Sequence, residues 1–261
     1  MPRDVIAMYV LALDTTTRDG SVALVDDHRV IDERRGDGSR GHAERLPHEL
    51  TTLAAAHGLA VRAVDLFAVA SGPGSFTGLR IGIATIQGLA VATGRRIVAV
   101  SALEALAYSA EAQPGSFVAA WMDARRRDVF TGLYRVLEAP VHSPGRLVEV
   151  EGPSVGHPDA TLMRWSPQIS DAPVTFVGDG AAIYADTIGR PGRAAWTVVT
   201  PTPLLAGTIG RMAVVRAGRG DTIDPAAVHP LYVRRPDAEV DRDRRAGSGE
   251  NTFLERPDGL T

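Results

Sequence analysis

LFAVASGPGSFTGLRIGIATIQGLAVATG, residues 66–94, joins a five-residue apolar run to a helix-length apolar segment through a glycine-rich turn. A short apolar run bounded by Gly and Pro reads as a buried strand, and the segment after it has helical length and spacing. Gly72, Gly74, Gly78 and Gly82 fall in or just after the turn. A glycine inside a helix costs about 1 kcal/mol relative to alanine, so Gly78 and Gly82 need a physical reason. Either another backbone packs closely there, or an anion meets the helix N-terminus, where free N–H groups and the helix dipole favour negative charge. The dinucleotide fingerprint does not fit, because Gly72, Gly74 and Gly78 are one residue too widely spaced. A P-loop does not fit either, since Leu79 stands where Lys is required.

Upstream, Tyr9–Leu13 is an apolar strand ending at Asp14-Thr15-Thr16, followed by strands at Ser21–Val25 and Val30–Arg34, a three-stranded meander. Gly41–His57 reads as a helix with Leu46, Leu50 and Leu53 at i, i+4 and i+7. Downstream come a strand at Ile97–Val100 and a helix opened by the capping pair Ser101 and Glu104, running to about Gln113. Then the pattern restarts. Phe117–Met122 is a strand ending in Asp123, with a hairpin mate at Asp128–Val136 and a third strand at Arg146–Val150. Helix over Asp159–Trp165, strand over Val174–Val177, a Gly178-Asp179-Gly180 turn, and helices over Ala181–Ile188 and Pro203–Ala217 complete the second half. Residues 237–261 are charged and rich in Gly and Ser, and read as a mostly disordered tail. The expectation is a duplicated α/β unit with mixed sheets, divided as residues 1–112, 113–236 and the tail 237–261.

Composition narrows function. The 261 residues carry a net charge of −3 and 44% hydrophobic content, enough for a sizeable core and no strong field towards nucleic acid or membrane. All 28 basic residues are Arg, and the absence of Cys excludes disulfides and Cys-based zinc sites. A cytoplasmic location is expected, with no signal peptide or uncharged bilayer-length run read in the sequence. His42, His48 and His57 are spaced six and nine apart, not at the i, i+4 spacing of a helical zinc pair. Ser75 is flanked by Pro73 and Thr77 where a nucleophile elbow needs glycines. A strand ending in Asp-x-Thr and folded sharply back can present N–H groups, hydroxyls and a carboxylate to a Mg²⁺-bound phosphate. The ordinary alternative is an Asx-turn. Asp14, Thr15 and Thr16 with Gly178, Asp179 and Gly180 are therefore candidate phosphate and adenosine turns, the motive for a phosphotransferase reading. Arg125, Arg126 and Arg127, with Arg242, Arg244 and Arg245, are either solvated surface or phosphate contacts.

Leu13-Asp14-Thr15-Thr16, the run GPGSFTGLRIG at 72–82, Met122-Asp123-Ala124-Arg125 and Pro230-Leu231-Tyr232-Val233-Arg234 together resemble the TsaB (YeaZ) family, over roughly residues 8–235. The resemblance implies an actin/Hsp70-like fold of two lobes and a dimerisation subunit in tRNA threonylcarbamoyladenosine biosynthesis. It implies partners as well: a TsaD-type catalytic subunit, a TsaE-type ATPase, tRNA through the complex, and a second copy of the chain in isolation. The transfer it implies is of threonylcarbamoyl to N6 of adenosine 37 in tRNAs reading ANN codons, with the chemistry and a His-ligated metal on the TsaD side. No catalytic residue, metal or firmly held cofactor is expected here, any ATP/Mg²⁺ site being vestigial, and the glycoprotease naming in neighbouring families finds no catalytic set. The two helices around the glycine turn would form the partner face, with Leu46, Leu50, Leu53, Gly78, Ile81, Gly82, Thr85 and Leu89 as its candidates, unless those leucines face the chain's own core.

Overall fold

The computed structural model describes residues 8–27, 29–141, 143, 145–190 and 195–234. The tail 237–261 and its Arg242, Arg244 and Arg245 lie outside the described residues.

Alternation and turn chemistry place the strands. β1 (Tyr9–Asp14) pairs antiparallel with β2 (Ser21–Asp26), which pairs antiparallel with β3 (Arg29–Arg35). α1 (His42–Ala56) returns the chain to β4 (Leu66–Gly72), which lies parallel to β1. α2 (Phe76–Thr93) leads to β5 (Arg96–Ser101), parallel to β4, and α3 (Ala102–Ser109) closes the first unit. The order is β3-β2-β1-β4-β5.

The second unit repeats it. β6 (Phe117–Asp123), β7 (Val129–Val136) and β8 (Leu147–Gly156) form the meander. α4 (Pro158–Ile169) precedes β9 (Val174–Val177), parallel to β6. The short helices α5 (Asp179–Ile183) and α6 (Ala185–Ile188) lead to β10 (Trp196–Val198), and α7 (Ala206–Ala217) comes last. Read from the meander side, the sheet runs β8-β7-β6-β9-β10, strand for strand the order of the first. Two copies of this mixed five-stranded topology make the actin/Hsp70-like fold.

The last helix of each unit crosses over. α7 packs on β1 to β5 of the first sheet, and α3 packs on β6, β7 and β8 of the second as well as on its own strands. One continuous core therefore joins the lobes, with Val10, Ala12 and Val25 from the first sheet, Val118, Met122 and Phe130 from the second, and Leu103, Leu106, Ile209 and Ala213 between. Each sheet also has an outer core of its own. Leu11, Leu13, Leu46, Leu50, Leu53, Phe67, Ile83 and Ile86 lie under α1 and α2, and Trp121, Trp165, Leu133 and Phe176 lie under α4 to α6.

Three local expectations are corrected. The three-residue β10 is absent from the sequence reading, because it is too short for any alternation to show. Gly178-Asp179-Gly180 is not a separate turn: α5 begins at Asp179 and the helical stretch breaks at Tyr184 into two pieces. β8 continues six residues past Val150, to Gly156, through a Gly-Pro pair that reads as a breaker.

Candidate interlobe site and partner face

A cleft of about 920 Å³ opens between the lobes where the two meander hairpins face each other. Asp14, at the end of β1, accepts from the Thr16 amide (2.9 Å) and the Thr16 hydroxyl (2.7 Å) through Oδ1, an Asx-turn held inside the sheet. Asp179, from the other lobe, accepts through Oδ1 from the Asp123 amide (3.0 Å) and the Gly180 amide (2.9 Å), so it ties the end of β6 to the start of α5. Burial pushes both carboxyls above the usual carboxylate range, and the Asp179 charge adds to the rise at Asp14. Asp14, Thr16 and Asp179 line the cleft. Thr15, Gly178 and Gly180 do not: Thr15 is fully buried against α2, and the two glycines allow close approach to the backbone of Trp121 and Met122.

The glycine run is explained inside the chain. A Cβ at Gly78 would overlap the Thr15 carbonyl oxygen, one at Gly82 would overlap the Thr15 side chain, and one at Gly74 would lie 2.7 Å from Thr16 Cα. Ser75 caps α2 by accepting from the Gly78 amide (3.2 Å), and its own amide donates to the Thr16 carbonyl (2.8 Å). Gly74, Ser75, Phe76, Thr77 and Gly78 line the cleft, so the start of α2 faces it. The close-packing alternative accounts for Gly74, Gly78 and Gly82. Among the described residues, no group of three or more His, Cys, Asp or Glu is placed to hold a metal ion.

The hairpin beyond Asp14 is pinned from α1 by Arg45, which is 2% exposed, pairs with Glu49 (2.6 Å) and donates to the Asp19 carbonyl. Arg45 also lies 2.8 Å from His42 Nδ1, and His42 Nε2 is 3.1 Å from the Thr17 carbonyl. Burial, and then the Arg45 charge, lower the His42 pKa, which keeps the ring neutral with its proton on Nε2. The opposite hairpin tip is unusual: Arg125, Arg126 and Arg127 have φ of 60°, 55° and 67°. The left-handed region costs a non-glycine residue about 1–2 kcal/mol, so this tip must be held by its surroundings. Asp123 accepts from the Arg125 amide (2.8 Å) and pairs with its guanidinium (3.3 Å).

Leu46, Leu50 and Leu53 were candidates for partner contact, and the structure corrects this. They are 1%, 0% and 0% exposed, packed beneath α1 in the core of the first lobe. Gly78 and Gly82 are buried too. Ile81, Thr85 and Leu89 remain half-buried on the outward side of α2, beside exposed Ala84, Gly88 and Val91, the last 69% exposed. α1, which packs on α2, turns Pro47, His48, Thr51, Thr52 and Ala55 outward. Sequence reading missed these five; the signal was the helical face complementary to the leucines. α2 is 18 residues long with mean hydropathy 1.2, the length and composition of a bilayer span, yet only 33% of it is buried. Its inner residues Leu79, Ile83, Ile86 and Ala90 pack inside the chain, so what remains is an apolar outer face on a folded lobe.

The family model described as TsaD, tRNA N6-adenosine threonylcarbamoyltransferase, matches residues 36–213. The tRNA threonylcarbamoyladenosine biosynthesis protein TsaB of Bacillus subtilis is 31% identical over 183 residues, covering 69% of this chain and 75% of that protein. The chain belongs to the TsaB (YeaZ) family. An uncharacterized Mycobacterium tuberculosis protein is 33% identical over 233 residues, 88% of this chain and 93% of its own length. The solved YeaZ from Pseudomonas aeruginosa superposes with a TM-score of 0.70 at 32% identity, covering 86% of this chain and 99% of that one. That family resemblance and the topology agree on the actin/Hsp70-like architecture. The GPGSFTGLRIG run at 72–82 is where Thr15, in the loop after β1, docks onto α2.

Proposed function

We propose that this chain acts in tRNA threonylcarbamoyladenosine biosynthesis as a non-catalytic subunit. It pairs through the outward face of α1 and α2 with a TsaD-type catalytic subunit, and through the same face with a second copy when alone. A TsaE-type ATPase joins the assembly, tRNA is met through the complex, and the setting is the cytoplasm. The observation that carries this reading is the apolar outer face of α2, with Ile81, Ala84, Thr85, Gly88 and Val91 in one helical stripe and Val91 69% exposed. Small and apolar residues on two adjacent helices suit a four-helix contact with a like pair, which buries the stripe. The match of the TsaD family model to residues 36–213 supports a partner of related fold, which would offer such a pair.

Thr85 projects from this stripe with its hydroxyl donating to the Ile81 carbonyl (2.8 Å), so an arginine there adds bulk and charge to the face without entering the core. Thr85→Arg is expected to abolish co-purification with the TsaD-type subunit while leaving the circular dichroism spectrum unchanged; retained co-purification would put the interface elsewhere. The function itself is tested by threonylcarbamoyl transfer to tRNA with the TsaD- and TsaE-type proteins, with and without this chain. Activity is expected only in the full mixture and none from this chain alone. Equal activity without it would remove the subunit reading and favour the phosphotransferase alternative. That alternative is tested by calorimetric titration with Mg-ATP, where absence of binding at millimolar nucleotide would remove it.

A further inference from the structure

The lobes are joined on one side by the shared core around α3 and α7, and they face each other across the cleft on the other. Asp14 and Asp179 line the cleft from opposite lobes. One segment spans the mouth. The Leu231 amide donates to the Ser71 carbonyl (2.7 Å) at the end of β4. The Tyr232 ring packs on Phe76 with centroids 4.9 Å apart, and its hydroxyl accepts from Arg80 Nε (2.9 Å) while the Arg80 guanidinium sits 3.9 Å over the Phe76 ring. Two residues on, Arg234 reaches the other lobe, donating to the Ala124 carbonyl (2.6 Å), pairing with Asp128 and lying 5.9 Å over the Phe130 ring.

We propose that residues 231–234 are a strap that latches the two lobes across the cleft mouth and opens at its Arg234 end. The first end is fixed by main chain and by a packed aromatic pair. The second is held by the Arg234 side chain beside Val233, which packs partly buried on the shared core; the Arg234 and Asp128 side chains are 21% and 31% exposed, where water and competing ions reach the pair. Arg234 grips both flanks of the left-handed hairpin tip, at Ala124 and at Asp128, so the strap also holds the tip in its strained form. Because Phe76 opens α2, opening the strap should also disturb the partner face; that consequence rests on the proposed function, whereas the latch does not.

The chain has no Cys, so a single labelled pair is simple to install. Arg62→Cys in the turn between α1 and β4 and Met163→Cys on α4, both exposed, one in each lobe and neither on the outward face of α1 and α2, carry spin labels in the full chain for distance measurement by pulsed EPR. Arg234→Ala is expected to move the distance distribution to longer values and broaden it, and Asp128→Asn to do the same from the other partner. The exchange Arg234→Asp with Asp128→Arg should restore the original distribution. An unchanged distribution in folded Arg234→Ala overturns the latch. If that variant does not fold, an unchanged distribution in Asp128→Asn overturns it. Partner binding is measured separately: opened lobes with normal partner affinity uphold the latch and break its link to α2, and lost affinity with unchanged distances counts against the latch.

Discussion

Asp14 shows how a single residue can be legible by type and illegible by role. Its place at the end of a strand, two residues before a threonine, announces an Asx-turn, and that turn is present. What the sequence does not carry is the burial that raises its pKa, which depends on β2, β4 and the opposite lobe. A carboxyl whose folded pKa lies above its unfolded value of 3.8 contributes stability below that value and loses it as pH rises through the folded pKa. The ionised form of Asp14 is therefore a cost to the fold. Asp14→Asn keeps an Oδ1 acceptor for the Thr16 amide and removes the charge. The variant is expected to melt at or above the wild-type temperature at pH 7, with the difference shrinking as pH is lowered through the folded Asp14 pKa. A variant less stable at pH 7 would mean that a favourable interaction holds the charged form.

At the level of elements, alternation and apolar runs located nine of the ten strands among the described residues, because each of those nine is long enough to show a pattern. β10, with three residues, is not. The helices were legible as helices, but which face each leucine took was not, since i, i+4, i+7 spacing marks one face without saying whether a core or a partner covers it. Depth settled it for α1, where Leu46, Leu50 and Leu53 lie under the helix. The same limit hid the purpose of Gly78 and Gly82, which is the approach of Thr15. For Gly78→Ala, the gain of about 1 kcal/mol in helix propensity is opposed by overpacking of about 1–3 kcal/mol. The atom met is a backbone oxygen that cannot rotate away, so net destabilisation is expected in urea unfolding, larger than for Gly82→Ala, where a threonine side chain is met. α7 depends on another element for its cap. It has no side-chain cap of its own; Ser21 Oγ accepts from the Leu205 and Ala206 amides (3.3 and 3.0 Å) and Glu33 from the Gly207 amide (2.8 Å). Ser21→Ala should cost about 1 kcal/mol, the usual loss of a helix N-cap, although Ser21 lies 184 residues upstream of Leu205. Equal stability would mean that Glu33 alone supplies the cap.

At the scale of the molecule, the duplication was legible because each half restarts with an apolar strand ending in Asp, but the exchange of α3 and α7 was not, since no local pattern says which sheet a helix covers. That exchange controls cooperativity. The inner face of the first sheet is covered by α7, so residues 1–112 alone would leave Val10, Ala12 and Val25 facing water. Loss of α7 therefore unfolds both lobes together, and the chain should behave as one cooperative unit in spite of its two sheets. The tryptophans make this measurable: Trp121, Trp165 and Trp196 all belong to the second lobe, packed around Phe176, so their fluorescence reports that lobe alone. Far-UV circular dichroism reports helices and strands of both. Urea transitions followed by the two signals are expected to coincide in midpoint and slope. A fluorescence transition separated from the dichroism transition would mean that the second lobe opens by itself, and that the core around α3 and α7 is too weak to couple the halves.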